Sequence, residues 1–480
     1  MRHIRLAVVV AGLSASAQAA GFYFGDNGSK ALAQGGAFTA QADDASAIQY
    51  NPAGLAQQKG FGFLLDVQLI NHQVSFLRQD PGNVTVPGVN TIQNTGGLFL
   101  LPFLGASYAL QLGSRTLTLA AGVYGPPSAG RYQYPEPVYG RRDQSPRTLA
   151  PQRYALINND VLILYPTLSA AIDVHPKVML GVSLQLVASN FMFRQALYTE
   201  DVIGPNPTTI REEDPEFDAI AKVNLPGRLG FTGIFGAMFK PTDSLSFGAS
   251  IRPPIPITAS GSLDVAFSDT LKNTGAEIQG NTADLTMTLP LELRVGARFM
   301  PMKTLGINAD FVYQGWQSVD ALVLTPTNVN LKASRDSDPE PLAPLRIPKN
   351  WKASFSGRVG ASYDVMKYLT VHAGVLYETS ASPDAYYSVD FAHPDRVFFS
   401  AGATGHLSAF DVIAGIAYTP ITSKTVAQSE VRRGQTRLEG APVGTGVYTS
   451  GGFSLTVGVR GRFGADKAAT SKDTEEARAP

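Results

Sequence analysis

Apolar and polar residues alternate along several segments of the chain, and this alternation constrains the fold more than any other feature. In residues 351–363 (WKASFSGRVGASY), Phe355 and Tyr363 fall on one face and Arg358 on the other. Successive side chains of a β-strand point to opposite faces of the sheet, so the pattern predicts strands. The same pattern recurs over 287–299, 369–378 and 453–463.

The length of these segments separates a membrane barrel from a soluble β-sandwich, which would show the same alternation. Each segment runs for about ten residues or more, the length with which a tilted strand crosses a bilayer. The apolar faces often end in an aromatic residue, as expected at a membrane interface; examples are Phe299, Tyr363, Tyr377 and Phe463. The segments therefore favour strands that cross a membrane.

Connections between the predicted strands alternate between short and long. Six short turns and seven long loops join fourteen strands, the plan of an outer-membrane barrel with tight turns on one side. We therefore predict an all-β fold, a 14-stranded antiparallel transmembrane β-barrel that leaves no strand edge in lipid. The predicted strands are 61–78, 98–110, 115–124, 157–173, 178–193, 227–240, 245–258, 287–300, 305–316, 351–365, 369–379, 394–407, 410–420 and 449–463.

The two ends of the chain do not follow the barrel pattern, which we expect over residues 61–463. Residues 1–19 have a basic start, an apolar core and the exit Ala17-Gln18-Ala19, which is typical of a secretory signal peptide. Residues 464–480 are small, polar and charged and predict a disordered tail. Basic and acidic residues number 39 each and cysteine is absent, so neither a nucleic-acid partner nor a disulfide is indicated.

Residues 20–60 precede the first predicted strand and contain a compact, half-apolar segment, DDASAIQYNPAGLA (43–56). Asn51-Pro52 predicts a turn, whereas Ile48 and Leu55 are apolar residues that a solvated loop would not need. A barrel of this size has a lumen that must be filled. We therefore predict that residues 20–60 fold into the lumen as an N-terminal hatch.

Several motifs resemble the FadL-type family of outer-membrane long-chain fatty acid transporters, which also includes aromatic hydrocarbon channels. They are Ala20-Gly21-Phe22, Gly35-Gly36-Ala37, Ala42-Asp43-Asp44-Ala45, Asn51-Pro52-Ala53 and residues 288–322 and 351–383, in the family's order. The resemblance implies a hatch-plugged barrel that captures apolar substrate outside. Exit is then lateral, through a gap at a kink in the third strand. Here that strand is 115–124, and a kink or a plain loop start at Gly125-Pro126-Pro127 would both fit.

Candidate gating residues follow from the resemblance. Gly21 and Phe22 lie at the expected mature N-terminus, and Asn51, Pro52 and Ala53 form the hatch turn. We expect the turn to shape the hatch and to gate indirectly.

Cations that face the lumen are the candidates for binding a carboxylate head group, because a carboxylate needs a cation or amide donors. By alternation they are Arg294, Arg298, Lys352 and Arg358. The alternative is that these cations pair with lumen acids such as Glu292 and Asp310. Alternation predicts the face of a side chain but not its height in the barrel.

The function that these features favour is passive uptake of hydrophobic compounds across the bacterial outer membrane, with long-chain fatty acids as the first expectation. An aromatic hydrocarbon channel is the alternative within that class. A barrel-embedded lipid hydrolase using His372 and a surface-interaction protein using loop 317–350 are alternatives from other classes. Common catalytic and nucleotide-binding motifs are absent from the sequence, so we expect neither an enzyme nor a cofactor or metal. The expected partners are an apolar small molecule and outer-membrane lipid, for a monomer.

Overall fold

Fourteen antiparallel strands form a closed ring in this computed structural model, which describes residues 26–86, 89–126, 130–137, 150–198, 213–227, 230–432 and 441–464. The strands are β1 (Phe61–Arg78), β2 (Leu98–Leu112), β3 (Arg115–Tyr124), β4 (Asn158–His175), β5 (Val178–Tyr198), β6 (Gly230–Thr242), β7 (Leu245–Arg252), β8 (Glu292–Met302), β9 (Leu305–Gln314), β10 (Ser354–Met366), β11 (Leu369–Glu378), β12 (Arg396–Leu407), β13 (Phe410–Val426) and β14 (Gly446–Phe463). Each pairs with the next, and β14 pairs with β1 from Phe61↔Phe463 to Arg78↔Gly446. The predicted fold class is confirmed.

The ring has a lipid-type outer face and a polar inner face, as the alternation predicts. Phe355 and Val359 on β10 are 42% and 49% exposed, whereas Arg358 between them is 4% exposed. The aromatic residues predicted at the interface also point outward, because Phe299 and Tyr363 are about half exposed. The apolar outer face matches the hydrocarbon of a bilayer, and the polar inner face matches a barrel lumen.

Five of the long connections contain strands, although the sequence predicts loops there. Two of these strands are short: Ile92–Gln93 pairs with β1, and Arg131–Gln133 pairs with β4. Beyond the ring, the upper half of β5 continues into a second sheet made of Asp218–Pro226, Ile255–Phe267, Thr282–Leu289, Ala321–Thr327 and Leu345–Pro348. Its outer face is polar, with Thr258 and Asp264 exposed, so it stands in water above the membrane. A small sheet of Glu277–Gln279, Asn330–Lys332 and Glu340–Pro341 flanks it.

Prolines break two of the predicted strands where they leave the membrane. The predicted strand 245–258 divides at Pro253-Pro254, and 287–300 divides at Pro290. Proline has no amide donor for the ladder. The second break also shifts the alternation, because Leu289 and Glu292 are both buried although they are three positions apart, an odd spacing. The prediction of unbroken alternation over 287–299 is therefore wrong, because Leu289 is buried and Leu293 is exposed.

Two buried polar clusters hold the long-loop end. In one, Arg153 Nε donates to Asp218 Oδ2 at 2.6 Å and Arg153 Nη1 lies 3.5 Å from Glu213 Oε2. In the other, the imidazole rings of His72 and His393 stack with centroids 4.7 Å apart and an interplanar angle of 4°. Both clusters join residues far apart in sequence, so they close the loops over the ring.

Residues 26–60, which we call the N-terminal segment, contain only short helical turns. They are α1 (Ser29–Ala33), α2 (Ala47–Tyr50) and a 3₁₀ helix (Pro52–Gln57). Outside it lie α3 (Asp269–Thr274) and 3₁₀ turns at Pro215–Phe217, Trp316–Ser318, Asp384–Tyr386 and Val389–Phe391. Among the described residues, no helix has the length and apolar character needed to span a bilayer.

The N-terminal segment packs against the inner face of the ring at a belt of glycines. Five cross-strand glycine pairs make up this belt, which we call the glycine girdle: Gly105↔Gly122, Gly181↔Gly236, Gly248↔Gly296, Gly360↔Gly374 and Gly402↔Gly415. A Cβ added at Gly374 would overlap the Gln34–Gly35 backbone, and one at Gly181 would overlap Pro52 and Ala53. The wall therefore omits side chains where the segment needs room.

Candidate substrate site inside the ring

The Asn51-Pro52-Ala53 turn fits between two girdle glycines and is held by the Asn51 side chain. Asn51 Nδ2 donates to Thr39 O and to Ala237 O on β6, both at 3.0 Å. Its Oδ1 accepts from Ala53 N at 3.2 Å. Asn51 is fully buried, so its amide ties two parts of the N-terminal segment to the wall.

Wall carboxylates bind backbone amides of the N-terminal segment on other sides of the ring. Asp310 Oδ2 on β9 accepts from Phe38 N at 2.9 Å and Thr39 N at 2.8 Å. Asp66 Oδ2 on β1 accepts from Ser29 N at 2.6 Å. These bonds give buried N–H groups the acceptors that they need. Asp310 is therefore an anchor for the segment rather than the arginine partner that the sequence suggested.

Arg294 and Arg358 converge on a single carboxylate, that of Asp26. Arg358 Nη1 donates to Asp26 Oδ2 at 2.5 Å, and Arg294 Nη1 lies 3.6 Å from Asp26 Oδ1. Arg294 also donates from Nε to Glu292 Oε1 at 2.8 Å, and Arg252 Nη2 lies 3.3 Å from Glu292 Oε2. Three guanidinium groups thus face two carboxylates here, so the pairing with lumen acids that we held as the alternative does occur.

A small cavity of about 30 Å³ lies beside these charges. Tyr50, Tyr124 and Tyr165 line it together with the arginines, and the Arg294 guanidinium lies 5.1 Å from the Tyr50 ring centroid. Tyr50 OH donates to Asn27 O at 2.6 Å. Burial raises the pKa of Tyr50 well above its usual range, so the hydroxyl stays a neutral hydrogen-bonding group.

Arg298 is not part of this cluster, although it was predicted with Arg294 and Arg358. It lines a separate polar cavity at the short-turn end of the ring, together with His372. His372 Nε2 lies 2.8 Å from Thr404 Oγ1, and among the described residues the imidazole has no hydrogen bond to its cross-strand neighbour Ser362 or to a carboxylate. Lys352 is exposed outside the strands. Gly21 and Phe22 lie outside the described residues, and their predicted role stays a prediction.

An apolar groove of about 830 Å³ indents the outer face of the ring across β1 to β6. Leu104, Leu168, Leu184 and Phe231 line its lipid side, and all four are half exposed or more. The predicted strand 115–124 borders it, and the ladder between β4 and β5 skips the pairs at Tyr165 and Pro166.

One layer of side chains separates this groove from the arginine cavity. Tyr124 lines the cavity, whereas Gln185 and Thr167 line the groove. Gln185 Nε2 donates to Tyr124 OH and lies 3.3 Å from Thr167 Oγ1. We call Tyr124, Gln185 and Thr167 the partition.

Sequence reasoning missed Asp26, Tyr124 and Gln185. Asp26 precedes the first helical turn and reads as an ordinary loop acid, and Tyr124 and Gln185 are single residues in alternating strands. A usable signal did exist for the segment's location, because glycines recur at inward positions of most strands. Inward glycines in a barrel wall indicate close backbone approach.

The comparisons with known proteins agree with this architecture. The profile of the family described as "Outer membrane protein transport protein (OMPP1/FadL/TodX)" matches residues 10–463. A Pseudomonas aeruginosa FadL homologue superposes with a TM-score of 0.74 at 18% identity, over 92% of this chain and 100% of that one. No curated protein matches the chain by sequence.

Two solved toluene transporters share the fold as well. TbuX of Ralstonia pickettii has a TM-score of 0.61 at 16% identity, over 92% of this chain and 99% of that one. TodX of Pseudomonas putida has a TM-score of 0.61 at 14% identity, over 91% and 99%. The ring of strands and the match over most of the chain place the protein in the bacterial outer membrane, as a member of the OMPP1/FadL/TodX family of hydrophobic compound transporters.

Proposed function

We propose that the protein is a passive outer-membrane channel for long-chain fatty acids. The observation that carries this proposal is the convergence of Arg294 and Arg358 on the Asp26 carboxylate. A neutral hydrocarbon has no group that an arginine pair would bind, whereas a fatty acid carries a carboxylate that matches it. Transport of this kind needs no bond chemistry.

In this proposal Asp26 holds the place of the substrate head group. Its two oxygens face the two arginines much as the oxygens of a fatty acid carboxylate would. Glu378 also lines the cavity but pairs with Arg396. With Asp26 displaced, the three arginines would therefore share the Glu292 carboxylate, so an incoming anion restores the charge balance. Exchange of one carboxylate for another then frees the N-terminal segment to move and open the passage.

The acyl chain supplies the driving force, at about 0.8 kcal/mol for each methylene that leaves water. We infer that the chain leaves sideways through the partition into the outer groove, whose apolar walls match it. Rotation of Gln185 away from Tyr124 would connect the arginine cavity with the groove. The substrate then enters the lipid phase directly, down its concentration gradient.

The alternative is an aromatic hydrocarbon channel, because two toluene transporters have the same fold. Cells that lack their own fatty acid and toluene channels, complemented with this protein, would be tested for uptake of labelled oleate and labelled toluene. We expect oleate uptake. Arg358→Gln should lower it about tenfold or more, since a charge-assisted hydrogen bond contributes about 1.5–3 kcal/mol.

Two further variants sharpen this test. Asp26→Asn removes the competing carboxylate and should lower the half-saturating oleate concentration. Lys352→Gln, an exposed cation outside both cavities, is the matched control and should leave oleate uptake unchanged. Toluene uptake without oleate uptake, with the barrel present in the outer membrane, would refute the fatty acid proposal.

A further inference from the structure

A second polar cavity, which we call the chamber, lies at the short-turn end of the ring and has a volume of about 210 Å³. The N-terminal segment contributes Lys30, Gln41 and Asp43 to its lining, and the hairpins between β8 and β12 and the end of β14 contribute the rest. A water molecule occupies about 30 Å³ of liquid, so the chamber has room for a small ion with several waters. Its lining is nearly all polar, which excludes a long acyl chain as the occupant.

Cations outnumber carboxylates in the lining of the chamber. The cations are Lys30, Arg298, Lys303 and Arg460, and the carboxylates are Asp43 and Asp364. Lys30 Nζ donates to both oxygens of Asp43 at 2.8 Å, and Arg460 Nε donates to Asp411 Oδ2 at 2.8 Å. Within the described part of the chain, the side chains of Arg298 and the exposed Lys303 form no hydrogen bond or ion pair. Positive charge is therefore left over.

His372 adds a buried group that points to a ligand. Its side chain is only 4% exposed, and Nε2 is bonded to Thr404 Oγ1 at 2.8 Å. Among the described residues Nδ1 has no hydrogen-bond partner. A buried polar atom without a partner is costly, and a bound acceptor would remove that cost.

The electrostatics of Asp43 agree with a positive chamber. Burial alone would raise the pKa of the Asp43 carboxyl, but Lys30, Arg460 and Arg298 outweigh burial and hold it below its usual range. Burial and Arg460 together lower the pKa of Lys30. Like charges thus crowd this end of the lumen.

We propose that the chamber binds a small oxyanion, a phosphate or carboxylate, through Arg298, Lys303 and Nδ1 of His372. The three groups come from β8, the β8–β9 turn and β11, and the N-terminal segment forms the facing wall. A bound oxyanion supplies the counter-charge for Arg298 and Lys303 and the acceptor for His372. Lys30 of the N-terminal segment lines the same chamber, so a bound oxyanion also attracts the segment to the wall and favours the plugged state.

Titration of the detergent-solubilised full barrel with inorganic phosphate, followed by ³¹P NMR line broadening, tests the proposal. Acetate is the carboxylate probe, and chloride at equal ionic strength shows non-specific screening. We expect saturable phosphate or acetate binding that chloride does not reproduce, together with slower hydrogen exchange of residues 29–43. Arg298→Gln should weaken binding about tenfold or more.

Matched variants separate a site from general charge. His372→Asn keeps a donor near the position of Nδ1 and should retain binding, whereas His372→Gln places its amide near Nε2 and should lose it. Lys59→Gln, which replaces an exposed lysine at the same end, should bind phosphate and acetate as the parent does. A lack of saturable binding, or equal binding in Arg298→Gln and Lys59→Gln, would overturn the oxyanion proposal. Neither result would bear on the fatty acid proposal, which is tested by oleate uptake.

Discussion

Replacement of Asp310 by alanine should loosen the N-terminal segment without opening the ring. The Asp310 carboxylate accepts from Phe38 N and Thr39 N at 2.9 and 2.8 Å, and both residues are fully buried. Alanine removes the acceptor for two amides at once. The strand ladder of the ring does not depend on this side chain, because its bonds run between backbones.

The size of the effect follows from the two amides that lose their acceptor. Each buried N–H left without an acceptor costs about 1–3 kcal/mol, so the pair costs about 2–6 kcal/mol. Water entering the space of the lost carboxylate would bring the cost toward the low end. Even about 2 kcal/mol speeds local opening about 30-fold. Asp310→Asn keeps one acceptor oxygen and should show a smaller effect.

Hydrogen exchange read by mass spectrometry measures this opening peptide by peptide. We expect faster exchange in residues 34–42 of Asp310→Ala and unchanged exchange in β10 to β14. Heat-modifiable migration in gels should stay as in the parent protein. Asp284→Ala, outside the ring, is the control. Unchanged exchange in residues 34–42 would show that Asp310 does not anchor the segment.

Three further perturbations have defined outcomes. Gly374→Ala places a Cβ against the Gln34–Gly35 backbone, so overpacking should cost about 1–3 kcal/mol, measured as faster exchange of α1. Arg153→Met leaves the buried Asp218 carboxylate without its cationic partner, with only the Tyr154 hydroxyl as donor, and should cost about 3–5 kcal/mol, measured as faster proteolysis at the long-loop end. Burial, with His72 and Arg396 nearby, lowers the pKa of His393 well below its usual range. Such a histidine stabilises the fold fully at pH values above its unfolded pKa near 6.5 and loses that stabilisation as the pH falls. The loss reaches up to about 2 kcal/mol at pH 5. It is measured as faster hydrogen exchange of residues 379–395 in acid.

Each of these perturbations has a counterpart that should do nothing. Gly357→Ala lies in β10 with no atom near the added Cβ. Lys222→Met removes an exposed cation of the strand Asp218–Pro226, and His175→Gln removes an exposed histidine at the end of β4. An effect of Gly357→Ala as large as that of Gly374→Ala would refute the packing argument. A pH response that survives His393→Gln would refute the assignment to that imidazole.

Alternation predicted the faces of the strands because a lipid face and a lumen face impose period two wherever the ring lies in the membrane. Alternation could not predict the height of a side chain along the barrel axis. Arg294 and Arg298 share a face, but four residues along a strand correspond to about 13 Å. Only the three-dimensional register shows that Arg294 reaches Asp26 while Arg298 lines the chamber.

The water-exposed sheet escaped prediction for a related reason. Strands such as Thr282–Leu289 alternate like membrane strands, and their polar outer face is the feature that separates them. Strands with an apolar inner face and threonines on the outer face occur equally in soluble sheets. The Asp26 site lay beyond sequence reasoning, because its members come from the N-terminal segment, β8 and β10, and no local pattern joins them.

The glycine girdle also has a consequence for selection. At Gly181, Gly248 and Gly374 the atoms that approach the wall belong to the backbone of the N-terminal segment, not to its side chains. Drift in the segment's own sequence is therefore tolerated at these contacts, whereas any larger residue in the wall is not. A saturation mutagenesis screen should find the lumen wall least permissive at positions that carry no side chain.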